Sequence, residues 1–105
     1  MSNLYVFRDT VSGNTGDVFQ AANDAVMRRS CTRTLASASP EIAHDTVVLC
    51  IGTLEFDVDN VPIVRSSPPR IALSGSSPDV DLVRDQLMRE ANRYLFNDGG
   101  VDDEA

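Results

Sequence analysis

The sequence contains no lysine, and all nine of its basic residues are arginines. A phosphate-binding loop of the Walker type ends in Gly-Lys, so the short Gly13-Asn14-Thr15-Gly16 stretch does not qualify as one. The exclusive use of arginine has two explanations that the sequence leaves open. Either the flat, bidentate guanidinium is selected for an interface or a phosphate site, or the codons of a G+C-rich genome favour arginine.

Long apolar runs are also absent. The start, Met1 to Leu4, has neither the basic region nor the apolar core of a signal peptide, and no lipidation motif is present. We therefore expect a protein that stays in the cytoplasm of the cell that makes it and does not enter a membrane. Only two cysteines occur, Cys31 and Cys50, and both lie in apolar segments. We expect both to be reduced core residues.

Acidic residues outnumber basic ones, which gives a formal charge of −7 and a pI near 4.4. This balance argues against a general nucleic-acid binder, because neutralising phosphates needs a basic surface, and against docking on an anionic membrane. The charge is uneven. Residues 1–36 hold four arginines and three acids, a net +1, whereas residues 37–105 hold five arginines and thirteen acids, a net −8.

The N-terminal half predicts a strand followed by a helix. Leu4 to Arg8 alternates like a half-buried strand, and Phe19 to Ala22 leads into a helix from Asp24 to about Ala36. Asn23 is a natural N-cap, and Asp24 lies at the positive end of the helix dipole. The apolar stripe of this helix consists of Met27, Cys31 and Leu35, and Ser37 to Pro40 ends it.

The middle of the chain predicts a hairpin. Thr46 to Phe56 is apolar on both faces, as in a central strand, and Gly52 within it indicates a bulge or a close backbone approach. A turn at Asp57 to Asn60 leads into a second strand, Val61 to Arg65, which Pro62 places at an edge. We expect a stiff linker at Ser66–Pro69 and a last short strand at Arg70–Leu73.

The C-terminal segment predicts the clearest helix. Ser77 is its N-cap, Pro78 its first residue, and Asn97 to Gly100 its end. Its apolar stripe is Val80, Val83, Leu87, Ala91 and Leu95. The expected fold is α+β, with a small, mainly antiparallel sheet of three to four strands and two helices packed on one face. Residues 1–97 form one domain in this prediction, and residues 98–105 form a disordered acidic tail.

Two polar clusters contain residues typical of chemical sites but lack the rest of the pattern that such sites need. His44 and Asp45 could orient a general base, but no motif places a nucleophile near them, and capping or surface roles fit better. Asp57, Asp59 and Asn60 have calcium-loop spacing, yet the central glycine and the distal glutamate are missing. We expect no catalytic residue, no metal and no cofactor, although a small hydrolase or metal site built from His44, Asp45, Asp57 and Asp59 is a third hypothesis.

Arginines on the first helix form a local basic patch. Arg28, Arg29 and Arg33 lie there, and Arg8 of the first strand is a candidate to join them. Such a patch suits DNA phosphates or an acidic partner surface. The competing interpretation is that these arginines pair with the protein's own carboxylates.

The order of motifs resembles a known family. Phe19, Ala21, Asn23, Asp24, Ala25 and Arg28 form the pattern aromatic-x-Ala-x-Asn-Asp-Ala-x-x-Arg, placed between an N-terminal strand and a later strand with Ile51-Gly52. This arrangement resembles the small nonstructural protein of gokushovirus-type microviruses, which are single-stranded DNA phages. The chain departs from the pattern by adding Arg29 and by inserting Thr53 to Glu55 before Phe56-Asp57. The resemblance covers residues 3–60.

The resemblance implies a phage protein of the host cell cytoplasm, active in the viral DNA replication or packaging cycle. We expect it to act without catalysis, through contacts with phage or host replication or capsid-assembly proteins. The alternative is direct binding of DNA, single-stranded DNA included, by the arginine-bearing first helix. A homodimer is a further expectation, through the edge strand at Val61–Arg65 or the stripe of the last helix.

Overall fold

The computed structural model describes the backbone of residues 1–104 and the side chains of residues 1–95. Its elements, in chain order, are β1 (Ser2–Asp9), β2 (Phe19–Ala21), α1 (Asp24–Ser37), α2 (Pro40–His44), β3 (Thr46–Phe56), β4 (Pro62–Ser74) and α3 (Pro78–Glu104). The strands form an antiparallel sheet in the order β2-β1-β3-β4. The predicted α+β class, with an antiparallel sheet and two long helices, is confirmed.

The core lies between one face of the sheet and the two long helices. Tyr5 of β1 and Val48 and Cys50 of β3 contribute to it from the sheet. The predicted stripe of α1 contributes Met27, Cys31 and Leu35, all buried. Because side chains alternate along a strand, Leu4, Val6 and Val47 belong to the other face, and they lie outside this core cluster. Both cysteines are free and buried, as expected.

Helix α1 begins as its sequence predicts. The Asn23 side-chain oxygen accepts a hydrogen bond from the Val26 backbone N–H at 2.9 Å, so Asn23 is the N-cap. The hydrogen bond satisfies one of the four backbone donors that every helix leaves unpaired at its start. The predicted cap and the predicted first residue, Asp24, are confirmed.

Strand β3 is an interior strand, and Gly52 has the role expected of it. The registers of β3 with both neighbours shift between Cys50 and Gly52, which marks a bulge beside Gly52. A Cβ on Gly52 would overlap the backbone carbonyl of Arg65 on β4. Glycine is therefore required here because the two backbones approach closely, and not because of a positive φ.

Strand β4 corrects the prediction for residues 61–73. The expected edge strand, stiff linker and last short strand form one strand, Pro62–Ser74. It is an edge strand, as Pro62 indicated, so Pro68 and Pro69 can lie within it at a point where its register with β3 shifts. An edge strand has one unpaired side, where a missing N–H costs little.

Two short elements were not predicted. Phe19 to Ala21 form β2, which pairs with β1 through Tyr5↔Phe19, whereas the sequence suggested only a lead-in to the helix. Pro40 to His44 form α2, with Ser39 as its N-cap. Both elements are too short to show a hydrophobic period of their own.

Helix α3 packs on the core only through its first half. Val80 is buried, and Val83 and Leu87 pack against the core. Ala91 and Leu95, the rest of the predicted stripe, are exposed, so this part of the prediction is wrong.

The helix also continues past residues 97–100, where the sequence predicts its end. The predicted acidic tail at residues 98–105 falls where no side chains are described, and it stays a prediction. None of the described helices has the length and apolar character needed to cross a membrane.

Candidate functional site

A groove between α1 and α3 brings three of the four predicted site arginines together. Its volume is about 500 Å³. We call it the arginine groove, and its lining residues are Arg28, Arg29, Thr32, Arg33, Val83 and Gln86. Arg28 and Thr32, and likewise Arg29 and Arg33, are four positions apart on α1, so the members of each pair are neighbours on the helix surface. Guanidinium groups beside an apolar valine suit a ligand that carries both carboxylates and apolar side chains.

Arg28 joins the arginine groove to the edge of the sheet. Its Nε donates a hydrogen bond to the Ala72 backbone oxygen of β4 at 3.1 Å. A neighbouring cavity of about 330 Å³ shares Arg28 and Thr32 with the groove and continues along residues 71–74 of β4 to Ser77 and Asp79. Arg28 therefore has a structural role as well as a place in the groove wall.

The arginines of the groove do not pair with the protein's own acids within the described part of the chain. There, no carboxylate oxygen lies within 4.0 Å of a guanidinium nitrogen of Arg28, Arg29 or Arg33. Arg29 and Arg33 are exposed. Pairing with internal carboxylates is therefore not seen for Arg29 and Arg33, whereas the charge of Arg28 is one of the causes that lower the pKa of Asp24.

Arg8 is separated from the other three arginines. It alternates along β1 with Tyr5 and Phe7, which face the helices, so Arg8 belongs to the opposite sheet face. Its Nη2 lies 3.7 Å from the position that a Cβ on Gly13 would take. The suggestion that Arg8 joins the helix arginines in one patch is therefore corrected.

A partly buried hydrogen-bond network fixes the N-terminus of α1 and so positions the arginine groove. The Tyr5 hydroxyl donates to Asp24 Oδ1 at 2.6 Å and accepts from Asn3 Nδ2 at 3.1 Å. Arg70 of β4 donates to both carboxylate oxygens of Asp24, at 2.9 and 3.1 Å. The network ties the first turn of α1 to β1 and to β4.

These contacts shift the pKa values of the network in opposite directions. The Arg70 guanidinium, followed by the Tyr5 hydroxyl, holds the pKa of Asp24 below its usual value. Burial, reinforced by the Asp24 carboxylate, raises the pKa of Tyr5 to about 12. The hydroxyl therefore stays protonated and the carboxylate stays charged at neutral pH, which is the arrangement that the network requires.

The residues that carry the phage resemblance have structural positions. Phe19 stacks on Tyr5 and Phe7, with ring centroids 5.7 and 5.4 Å away. Asn23 caps α1, Asp24 binds Arg70, and Ala25 is exposed. Of the motif positions in residues 19–28, only Arg28 lines the groove. Most of the motif therefore describes how α1 meets the sheet, and not what the groove binds.

The polar clusters set aside from the sequence do not form a common site. His44 and Asp45 precede β3, and Asp57 and Asp59 follow it, so eleven residues of extended strand, roughly 37 Å, separate the pairs. His44 Nε2 lies 3.7 Å from Asp81 at the surface. In the part of the chain whose side chains are described, no three His, Cys, Asp or Glu residues approach closely enough to hold a metal ion.

The Asp57–Asn60 segment is a hairpin turn. Asp57 Oδ1 accepts hydrogen bonds from the backbone N–H groups of Asp59 and Val61, both at 2.9 Å, and Asn60 adopts a φ of 62°. Asparagine tolerates this left-handed conformation better than most residues do. The carboxylate is thus used by the turn itself.

Sequence reasoning missed part of the groove. Thr32 lies four residues after Arg28, a spacing that would have placed it on the same flank of α1. Gln86 follows Val83 by three residues and would have been found in the same way, had the contact between α1 and α3 been known. Arg70 carried no sequence signal, because its partner Asp24 is 46 residues away.

We compared the chain with models of protein families, with curated proteins and with solved structures, and none of the three comparisons found a match. The resemblance to the microvirus protein therefore stays a prediction made from the sequence.

Proposed function

We propose that this protein is a non-enzymatic binding protein whose arginine groove holds an acidic segment of a partner protein. The observation that carries the proposal is the grouping of Arg28, Arg29 and Arg33 along one groove, with no carboxylate of the described residues within 4.0 Å. Arginines without a carboxylate within that distance can form charge-assisted, bidentate hydrogen bonds with carboxylates of another chain.

The charge distribution favours an acidic peptide segment over DNA. The protein carries −7 overall, and among its acids Asp79, in the first turn of α3, lines the cavity next to the groove. A long polyanion would meet these acids as well as the arginines, whereas a short segment can remain within the groove. A volume of about 500 Å³ suits a few side chains.

On the resemblance to the microvirus protein, we further propose that the partner is a replication or capsid-assembly protein of a phage or of its host. The protein would then act in the viral DNA cycle by competing for a partner surface. Direct DNA binding is the second candidate, because the same three arginines would be its contacts.

The test is fluorescence anisotropy at low and at physiological salt, with three labelled probes. These are a peptide that alternates glutamate with leucine, a single-stranded oligonucleotide and a duplex. The variant is Arg29→Glu with Arg33→Glu, which reverses two charges of the groove and spares Arg28. The matched control is Arg89→Glu with Arg93→Glu, since these exposed arginines of α3 are also four residues apart.

The three probes distinguish peptide binding, DNA binding and the absence of anion binding. Peptide binding that falls at least tenfold in the groove variant and persists in the control supports the proposal. Oligonucleotide binding that exceeds peptide binding and is lost in the same variant supports the DNA candidate instead. If no probe binds at low salt, or if both variants behave alike, the groove is not an anion-binding site.

A further inference from the structure

The arginine groove continues into the neighbouring cavity at the edge of the sheet, which we call the edge cavity. Its volume is about 330 Å³, and Arg28 and Thr32 line both cavities. The rest of its wall consists of residues 71–74 of β4, Ser77 and Asp79. The hydrogen bond from Arg28 to the Ala72 backbone oxygen holds the Arg28 side chain at the boundary. A segment bound in the groove can therefore extend past Arg28 into the edge cavity.

The two cavities carry opposite charges away from their shared boundary. The groove adds Arg29 and Arg33 to the shared Arg28, whereas the charged side chain that the edge cavity adds is Asp79. The cleft formed by the two cavities is therefore positive at one end and negative at the other.

Asp79 differs from the next acid of α3 in its contacts. Asp81 accepts a hydrogen bond from Arg84 Nη1 at 2.8 Å and lies 3.7 Å from His44 Nε2. Within residues 1–95, no basic nitrogen lies within 4.0 Å of an Asp79 carboxylate oxygen. Asp79 is exposed and favours the positive end of the α3 dipole, a role that leaves its carboxylate open to a cation in the edge cavity.

The charges of the cleft disfavour a segment that is acidic throughout. The arginines attract such a segment, but Asp79 and the net charge of −7 repel it. A basic side chain at the end that enters the edge cavity replaces the repulsion from Asp79 with an ion pair. The same carboxylate then contributes to specificity, because it favours one charge arrangement and opposes the other.

We propose that the segment held in this cleft is bipolar, with acidic side chains against Arg29 and Arg33 and a lysine or arginine at one end against Asp79. The inference rests on the proposed function and narrows the class of partner from any acidic segment to one that has acidic and basic residues in separate positions. It makes Asp79 a specificity-determining residue.

The experiment is competition against the labelled glutamate–leucine peptide at low salt, with three unlabelled competitors. The parent competitor alternates glutamate with leucine and has leucine at both ends. The other two replace either the first or the last leucine by lysine. All three are acetylated and amidated, so that the lysine is the only cationic group.

Each competitor is measured on the unmodified chain, on Asp79→Asn and on Asp85→Asn. Asp85 is the matched control, because it is an exposed acid of α3 that lines neither cavity. Each variant removes one negative charge from the same helix, so a general attraction of lysine to an acidic protein affects both equally. Circular dichroism verifies that both variants are folded.

We expect one lysine competitor to bind the unmodified chain about threefold more tightly than the parent does, which is the strength of a partly exposed ion pair. The gain should disappear in Asp79→Asn and persist in Asp85→Asn, as a direct contact between the lysine and Asp79 requires.

Other results would overturn the inference and leave the proposed function in place. These are binding of the parent with no gain from either lysine, a gain that survives in Asp79→Asn, and a gain that both variants lose equally. If the labelled glutamate–leucine peptide itself does not bind, the proposed function fails, and the bipolar segment fails with it.

Discussion

The Tyr5 hydroxyl donates a hydrogen bond of 2.6 Å to Asp24 Oδ1, across nineteen residues of sequence. Tyr5 is fully buried in the core, while the Asp24 carboxylate reaches Arg70 at the edge of the sheet. The Asp24 carboxylate therefore links β1, the first turn of α1 and β4. Since α1 carries the arginines of the groove, the hydrogen bond also sets where that groove lies.

Replacing Tyr5 by phenylalanine should destabilise the fold by about 1–3 kcal/mol, because it removes a hydrogen bond from the buried tyrosine to a charged, partly exposed carboxylate. The ring remains, so its stacking on Phe19 is kept. Urea unfolding followed by circular dichroism measures the effect. Tyr94→Phe is the control, since Tyr94 is 69% exposed, and it should change stability by less than about 0.5 kcal/mol. Equal effects of the two substitutions would contradict the role given to the Tyr5 hydroxyl.

The Asp24 carboxylate should make stability dependent on acid pH. Arg70 and Tyr5 hold its pKa below the usual value in the folded protein. The contribution is therefore complete above the unfolded pKa, about 4, and is lost as pH falls through the folded pKa. Asp24→Asn should cost about 1 kcal/mol at pH 7, a modest value because the carboxylate is partly exposed, and much less at pH 2.5.

The measurement for Asp24 is the free energy of unfolding in urea at both pH values. Asp17→Asn, in the exposed loop between β1 and β2, is the control and should leave stability nearly unchanged at each pH. A cost of Asp24→Asn that is the same at pH 7 and pH 2.5 would show that the charge of Asp24 does not contribute.

Elements with a local signal were predictable, and those that depend on distant contacts were not. The N-cap Asn23, the stripe of α1, the interior position of β3 and the role of Gly52 all follow from short-range patterns. Strand β2 has three residues and exists because β1 pairs with it. The continuity of β4 through Pro68 and Pro69 depends on its edge position, which only the complete sheet reveals.

The α1 wall of the arginine groove was predictable from local spacing, and the α3 wall, which depends on a distant contact, was not. Helical spacing makes Arg29 and Arg33 neighbours on α1, with Arg28 in the adjacent turn position. No local pattern reveals that Val83 and Gln86 of α3 form the other wall. Arg8 was grouped with the helix arginines by charge alone, and the alternation of β1 places it on the other side of the sheet.

Replacing Gly52 by alanine should destabilise the fold by about 2 kcal/mol or more, because a Cβ would overlap the Arg65 carbonyl within the paired strands β3 and β4. Thermal or urea unfolding measures the loss. Gly16→Ala is the matched control, since the nearest atom to its Cβ would be the Phe7 backbone oxygen at an ordinary 3.9 Å. A Gly52→Ala variant as stable as Gly16→Ala would show that the strands can separate without cost.

The three arginines of the groove should differ in their effects on stability. Arg28→Ala removes the hydrogen bond from Nε to the Ala72 backbone oxygen, which should cost about 1 kcal/mol. Arg29→Ala and Arg33→Ala remove exposed side chains and should each change stability by less than about 0.5 kcal/mol. Urea unfolding of the three single variants tests this order.

If Arg29→Ala costs as much as Arg28→Ala, Arg29 also supports the fold, and a loss of ligand binding in its variants would no longer identify a binding contact. If the predicted order holds, a loss of binding in the Arg29 and Arg33 variants reports on the ligand and not on the integrity of the groove.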